Sequence, residues 1–365
     1  MHTEHLILDG EPGDAAKLAH AARLLRAGEL VAFPTETVYG LGADARNAEA
    51  LARLTKVKGR RDGKPYALLV PSLKAAEAAA GGFGRIATKL ARVYWPGPLT
   101  LVVPRPDSAG GGSIGLRLPD HRIARALIAH CGCPLATPSA NKSGSDEPVT
   151  AQQVREQFNG EIAAVLDGGP ASHGVPSTVI KVENESVEVL RKGNIKTDDL
   201  LELARPTLLF ICTGNTCRSP MAAGFCMMEF ESTPRGRDPG PDLGRGVALP
   251  FRVLSAGTAA LDGERSDPMA LEAMREVHID ISTHRTRGVN PSLIDSADWI
   301  FTMTQAHRDS ILSLMPSCAE RMQLLSKRGE EIPDPIAHSL EGYRQVRDKI
   351  AICLRDVVRL VEQEC

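Results

Sequence analysis

Apolar positions along this chain follow two periods in turn. In "AAKLAHAARLLRAG", residues 15–28, they recur at three- and four-residue spacing, which predicts an amphipathic helix stopped by Gly28. "LVAFPT" follows as an unbroken apolar run of strand length. The same exchange continues with "AEALARLTKVKG" as helix, "YALLVPS" as strand, "TKLARVYW" as helix and "PLTLVVP" as strand, and "SADWIFTMT" much later again reads as helix passing into strand. Strands alternating with helices predict an α/β protein built in layers.

Two stretches break this pattern. "ENESVEVLRKGNIKTDDLLELARPTLLFI" runs through a strand, a turn and a short helix to Arg205-Pro206, and a fresh apolar strand begins at Thr207. Together with the length of 365 residues, this predicts two domains, 1–204 and 205–365. The second stretch, "ESTPRGRDPGPDLGRGVALP", is rich in Gly, Pro and charge and reads as an exposed insertion loop within the second domain. No internal repeat is visible.

Composition narrows the class. Apolar and charged contents of 42% and 24% are ordinary for a soluble globular protein. No apolar run approaches membrane-span length, and "MHTEHLILDGEPGD" lacks the basic-then-apolar order of a signal peptide. A formal net charge of −2 argues against strong direct nucleic-acid binding. The eight cysteines are scattered, which suits a reducing cytoplasm; no set has zinc-ligand spacing, and Cys131 and Cys133 read as small core residues.

Candidate chemistry concentrates in "LLFICTGNTCRSPMAAG", residues 208–224, an apolar strand, a polar loop and a helix start. Cys212 and Arg218 stand at the two ends of a loop formed by Thr213, Gly214, Asn215, Thr216 and Cys217. A loop of this length can curl so that successive N–H groups point inward and bind an anion. The helix after it adds the positive end of its dipole, with Pro220 tolerated in its first turn. Arg218 adds a planar fork for two phosphate oxygens. In that field Cys212 is expected as a thiolate able to attack phosphorus. Downstream, "EEIPDPIAHSLEGY" offers Asp334 as an acid for the leaving group.

The pieces "CTGNTCRSPMA", "VLSAGTAA", "ISTHRTR", "ADWIFTMTQAH" and "PDPIAHSLEGY", in that order from about Thr207 to Cys365, resemble the low-molecular-weight protein tyrosine phosphatases, a family that includes protein-arginine phosphatases and thiol-dependent arsenate reductases. The resemblance implies a central parallel sheet flanked by helices. It makes Cys212 the nucleophile, Arg218 the phosphate ligand and Asp334 the general acid, with Asn215 and Ser219 bracing the loop and no cofactor or metal required. Thr216, where tyrosine phosphatases of the family carry a bulky aliphatic residue, points to phosphoarginine, as does "MTQAH". Ile336 and Ala337, where aromatic residues are usual, weaken the phosphotyrosine reading. Cys217 is placed either to form a reversible disulfide with Cys212 or as a spectator.

In the first domain, "VAFPTETVYGLGADA" reads as a strand running into a glycine-containing turn, with Thr35 and Thr37 suited to a small polar ligand. Lys58, Arg60, Arg61 and Lys64 then precede a buried strand and suit a triphosphate. With "WPGPLT", "LRLPDH", "PSANKSG" and "STV", the segment from about Leu18 to Ile195 resembles the YrdC-like threonylcarbamoyl-AMP synthases. The resemblance implies a twisted open α/β sheet around a positively charged cavity. It also implies conversion of L-threonine, bicarbonate and ATP to threonylcarbamoyl-AMP and pyrophosphate, with magnesium accompanying ATP. A tRNA-modification transferase machinery would receive the product. Thr35, Thr37, Arg117, Thr137, Ser177 and Thr178 would hold threonine; Lys58, Arg60, Lys64, Ser139, Asn141 and Arg191 would hold ATP; no residue stands out as a metal ligand. Arg61 replaces a usual proline, Leu69 a frequent histidine, and His121 reads as structural.

The chain is thus expected to be a cytoplasmic bifunctional fusion whose second half acts on a phosphorylated protein. The alternatives are that one half is catalytic and the other regulatory, or that the first domain is an RNA-binding module or a carbamoyl transferase.

Overall fold

The computed structural model describes residues 2–10, 13–60, 63, 65–105, 112–183, 186–231, 251–336 and 338–364. Lys64, Arg61, Ala337 and nearly all of the expected insertion loop lie outside these residues. Chain contacts divide the protein into two compact units, Met1–Glu202 and Leu203–Cys365.

The first unit contains β1 (Glu4–Ile7), α1 (Asp14–Arg26), β2 (Val31–Phe33), β3 (Gly40–Asp44), α2 (Ala48–Lys58), β4 (Leu68–Leu69), α3 (Leu73–Ala80), α4 (Arg85–Tyr94), β5 (Leu99–Pro104), β6 (Ser113–Arg117), α5 (Arg122–Cys131), β7 (Leu135–Ala136), α6 (Ala151–Phe158), β8 (Ala164–Asp167), β9 (Thr178–Glu183) and β10 (Ser186–Arg191). The division between units falls inside α7 (Thr197–Ala204). Ten strands form one mixed sheet in the order β1-β8-β2-β3-β7-β4-β6-β5-β9-β10.

Strand β2 shows why the apolar run is unbroken. Val31 and Phe33 pack into one buried cluster with α1 and α5, whereas Ala32 packs into another with α2 and α6. A strand covered on both faces has no polar side to display. Sequence reading expected a turn where β3 stands. Instead Gly40–Asp44 pairs antiparallel with β2, fully buried. Its glycines serve close packing: a Cβ on Gly40 would lie 2.5 Å from Thr137 Cγ2, and one on Gly42 2.8 Å from Phe33 Cε1. Glycine is depleted in strands, so the sequence signal was misleading here.

Helix α2 starts at Asn47, whose side chain accepts from Glu49 and Ala50 N–H, and ends at Gly59 in the left-handed region, φ 65°. That stop places Lys58 on the last turn, where its own carbonyl accepts from Ser143 N–H.

The second unit contains β11 (Thr207–Cys212), α8 (Arg218–Glu231), β12 (Arg252–Gly257), α9 (Pro268–Arg275), α10 (Pro291–Ser296), β13 (Trp299–Thr302), α11 (Gln305–Leu314), β14 (Met322–Leu324) and α12 (Leu340–Glu364). Its four strands are all parallel, in the order β12-β11-β13-β14. Leu208 and Phe210 of β11 join the core beneath α8, α9 and α12, while Leu209 and Ile211 join the core beneath α10 and α11. The chain leaves β11 for β12 on one side and returns to β13 on the other. Such a switch opens a crevice at the carboxyl end of β11, and Cys212 is the last residue of that strand.

Candidate active sites

In the first unit a cavity of about 780 Å3 lies over the middle strands of the sheet. Thr35, Thr37, Lys58, Arg60, Arg117, Thr137, Ser139, Ser177 and Arg191 line it, as do Leu69 and Thr100. Its floor is a chain of hydroxyls ending on a cation. Thr35 and Thr37 Oγ1 are 2.9 Å apart, and Arg117 Nη2 donates to Thr37 Oγ1 at 2.9 Å. The guanidinium is held from behind, with Nη2 also donating to Glu36 Oε1 at 2.7 Å and Nε to Gly97 O at 3.1 Å. Gly97 reaches this position because the "WPGP" turn brings its backbone close; a Cβ there would sit 2.4 Å from Tyr94 O. Arg117 and Glu36 are both buried, at 7% and 5% exposure.

The nucleotide candidates divide. Arg60 lies over the Tyr66 ring at 4.7 Å, and Arg191 bridges to Ser177 through its carbonyl at 3.0 Å and its hydroxyl at 3.1 Å. Ser177 in turn meets Thr100 Oγ1 at 2.9 Å. Lys58 and Asn141 are placed differently from the expectation of direct ligand contact. Lys58 Nζ donates to Ser139 O at 2.7 Å, Asn141 O at 2.6 Å and Asn141 Oδ1 at 3.2 Å, which uses all its protons. Asn141 also donates to Lys142 O and Ser145 O. Together they set the shape of the 139–145 loop, so Ser139 reaches the cavity while Asn141 does not line it. Thr178 likewise does not line the cavity; its hydroxyl accepts from Ile195 N–H at 3.1 Å and is fully buried. Thr137, on the cavity wall, donates to Leu135 O at 3.0 Å.

Burial pushes the Lys58 ammonium down to about 8, offset in part by Glu147 and aided by Arg60. Loss of its proton would leave two N–H groups for three acceptors. If the cavity takes the ATP that the sequence resemblance implies, its KM is expected to rise several-fold as pH passes 8, and Lys58→Met to raise KM at all pH values and flatten the profile. Global unfolding would not mimic this. The unfolded chain holds more protons between about 8 and 10.5, so this group makes folding more favourable with rising pH across that window. KM measured at intervals from pH 6.5 to 9.5, beside Tm, checks both.

In the second unit the loop after β11 is held from several sides. Asn215 takes the left-handed conformation, φ 56°, and is fully buried. Its Nδ2 donates to Ser219 Oγ at 2.8 Å and Ser255 Oγ at 3.0 Å, its Oδ1 accepts from Arg287 N–H at 2.9 Å, and its carbonyl meets His284 Nε2 at 2.8 Å. Ser219 Oγ, thus occupied as an acceptor, lies 3.0 Å from Cys212 Sγ. Cys212 is 2% exposed, at the floor of the loop.

Arg218 closes the ring. Its Nη1 donates to Ile332 O at 3.2 Å, and its Nη2 to Thr213 Oγ1 at 3.3 Å and Asp334 Oδ2 at 2.5 Å. Asp334 is thus beside the anion loop, as a general acid requires, with its side chain 43% exposed. Cys217 faces away into the core, where its thiol lies 3.4 Å from Thr216 Oγ1 and 3.7 Å from Tyr343 OH, and burial pushes its pKa up. Sequence reading missed Glu36, Thr100, Ser255, His284, Tyr343 and the role of Gly257. Each acts on a candidate residue from a distant point in the chain, so local spacing carried no sign of it.

Gly257 is the tightest of these supports. A Cβ there would lie 2.3 Å from Thr213 O and 2.9 Å from Asn215 N. Gly257→Ala must therefore displace the loop, and the kcat for phosphate-ester hydrolysis that the resemblance implies for this loop is expected to fall about 100-fold. Steady-state kinetics on p-nitrophenyl phosphate tests it; an unchanged kcat would show that the loop tolerates the shift.

The Sua5/YciO/YrdC family, described by the term telomere recombination, matches residues 23–193, and the low-molecular-weight phosphotyrosine protein phosphatase family matches residues 207–365. A Bacillus subtilis threonylcarbamoyl-AMP synthase is 40% identical over 60% of this chain and 65% of its own length, so the chain spans just under two thirds of that relative. A Mycobacterium tuberculosis protein named as a threonylcarbamoyl-AMP synthase candidate is 37% identical over 51% of this chain and 88% of its own length. The crystal structure of P. abyssi Sua5 complexed with L-threonine aligns with 70% of this chain and 92% of its own at 26% identity and a TM-score of 0.52. The chain belongs to the Sua5/YciO/YrdC family through its first half, and its second half matches the low-molecular-weight phosphotyrosine protein phosphatase family.

Proposed function

We propose that the first unit is an L-threonylcarbamoyladenylate synthase. The buried Arg117, held by Glu36 and presenting Nη2 beside Thr37, carries this reading. A guanidinium in a cavity wall is suited to the carboxylate of threonine, and the Thr35 and Thr37 hydroxyls to its amine and hydroxyl. The amine captures carbon dioxide as a carbamate. The carbamate oxygen then attacks the α-phosphorus of ATP and pyrophosphate leaves. Arg60, Arg191 and Ser139 would neutralise and orient the nucleotide, so positioning and charge do most of the work. Among the described residues no group of three or more His, Cys, Asp or Glu is arranged to hold a metal. A magnesium ion accompanying ATP would supply further charge neutralisation, and Glu147 is the carboxylate on the cavity wall that would hold it. The product would serve a tRNA-modification transferase. Pyrophosphate release in the presence of ATP and bicarbonate tests the reading: it should require L-threonine, and threonine-independent release would overturn it.

For the second unit we propose hydrolysis of phosphorylated protein side chains with phosphoarginine preferred. Cys212 attacks phosphorus, Asp334 gives its proton to the leaving nitrogen, and water then cleaves the phosphocysteine with Asp334 as base. Thr216 supports the arginine preference, being half-buried on the loop and short enough to leave room for a guanidinium. Ile336, 55% exposed after Asp334, offers no aromatic face for phosphotyrosine. Thr216→Ile is expected to lower kcat/KM for phosphoarginine at least tenfold while sparing phosphotyrosine; an unchanged ratio would remove the preference.

A further inference from the structure

One buried histidine beside the phosphate loop has no role in the steps above. His307 lies in the first turn of α11 at 6% exposure. Its Nε2 is 2.9 Å from Thr213 Oγ1, and its Nδ1 is 2.8 Å from Thr304 Oγ1. Thr304 is the N-cap of α11, and its Oγ1 already accepts the backbone N–H of His307. The one hydroxyl proton of Thr304 therefore has Nδ1 as its acceptor within reach. An imidazole that accepts at Nδ1 carries its proton on Nε2 and donates it to Thr213. Thr213 Oγ1 then accepts twice, from His307 Nε2 and from Arg218 Nη2, and its own proton is unspent. Thr213 is exposed, beside the Arg218 fork.

Resting on the phosphate-cradle reading of this loop, we propose that Thr304 and His307 are positioning residues that turn the Thr213 hydroxyl into a hydrogen-bond donor for a bound phosphate oxygen. A helix cap thereby sets a histidine tautomer, and the tautomer sets the polarity of a loop hydroxyl. Burial and the Arg218 charge together push His307 down to about 4, so it is neutral at physiological pH and able to accept at Nδ1.

The probe is inorganic phosphate, read as protection of Cys212 in the full chain from iodoacetamide. Thr213→Val should weaken phosphate by roughly tenfold to a hundredfold, the range for a hydrogen bond to a charged group, and Thr213→Ser should restore it. Thr304→Asp keeps a good N-cap but accepts from Nδ1–H, which forces the opposite tautomer and draws the Thr213 proton to Nε2. It also brings a negative charge, so the informative quantity is the double-mutant cycle with Thr213→Val. The loss from Thr304→Asp should be about tenfold greater with the Thr213 hydroxyl present than without it. Thr304→Ser, which keeps both cap and hydroxyl, should recover protection. Nitrogen-15 spectra of the imidazoles, assigned with His307→Gln, should show the proton on Nε2 in the wild type and on Nδ1 in Thr304→Asp. An additive cycle, or a wild-type proton on Nδ1, overturns the relay while leaving the cradle standing. Absence of phosphate protection in the wild type removes the cradle and the relay with it.

Discussion

Cys212→Ser is expected to lower phosphatase turnover by roughly 10^5-fold, the scale on which removal of a lone nucleophile acts. The geometry leaves no substitute. The sulfur is at the floor of a loop whose only other thiol, Cys217, faces Tyr343 and the core. Serine fits the same space and can keep the contact with Ser219, but a hydroxyl is a far poorer nucleophile without a neighbouring base. Phosphate binding should survive, because Arg218 and the loop amides are untouched. The result therefore separates chemistry from binding: kcat collapses while the inhibition constant of inorganic phosphate changes little. Threonine-dependent pyrophosphate release should be unaffected, since that cavity is lined by residues of the first unit alone. Retention of even one hundredth of wild-type turnover would mean that another group attacks phosphorus.

Arg117→Ala is expected to abolish threonine-dependent pyrophosphate release and also to destabilise the first unit by about 3–5 kcal/mol. Two effects are superposed, and they can be separated. The loss of function follows from removal of the cation that faces the Thr37 hydroxyl. The loss of stability follows from Glu36, whose Oε1 would lose its partner and whose Oε2 is already buried without one. A buried carboxylate stripped of its cation costs far more than the pair itself contributes. The double variant Arg117→Met with Glu36→Leu should hence recover much of the lost Tm and none of the activity. Calorimetry and the pyrophosphate assay, run on the same preparations, check the pair of outcomes. If the double variant is no more stable than Arg117→Ala, the ion pair is not the source of the loss. If Arg117→Ala keeps a wild-type threonine KM, Arg117 is not the carboxylate ligand.

Both sites show how far local pattern reaches. The candidate nucleophile and phosphate ligands of the second unit stand within one loop, Cys212 to Ser219, so their spacing is readable directly, whereas Asp334 reaches that loop only through the fold. The alternation of apolar runs also sufficed for an α/β layering, because strands β2 and β11 are covered on both faces and show no polar break. Strand β3 escaped because its glycines answer to neighbours, Phe33 and Thr137, rather than to a turn of their own.

What the sequence alone determined was the identity of the two families and the residue types at each site, since motif chemistry is local. Tertiary structure decided which of those residues line a cavity or loop and which are bonded to other residues behind it. Lys58 and Asn141 look like ligands in a motif, and the fold also bonds them to each other and to the loop that carries Ser139, with Lys58 still on the cavity wall. Glu36 and His307 look like ordinary polar residues and prove to hold Arg117 and Thr213. A charged or polar side chain has a fixed number of protons and lone pairs. Only the fold, by bringing in partners as far as 126 positions away in the chain, settles how many remain for a substrate.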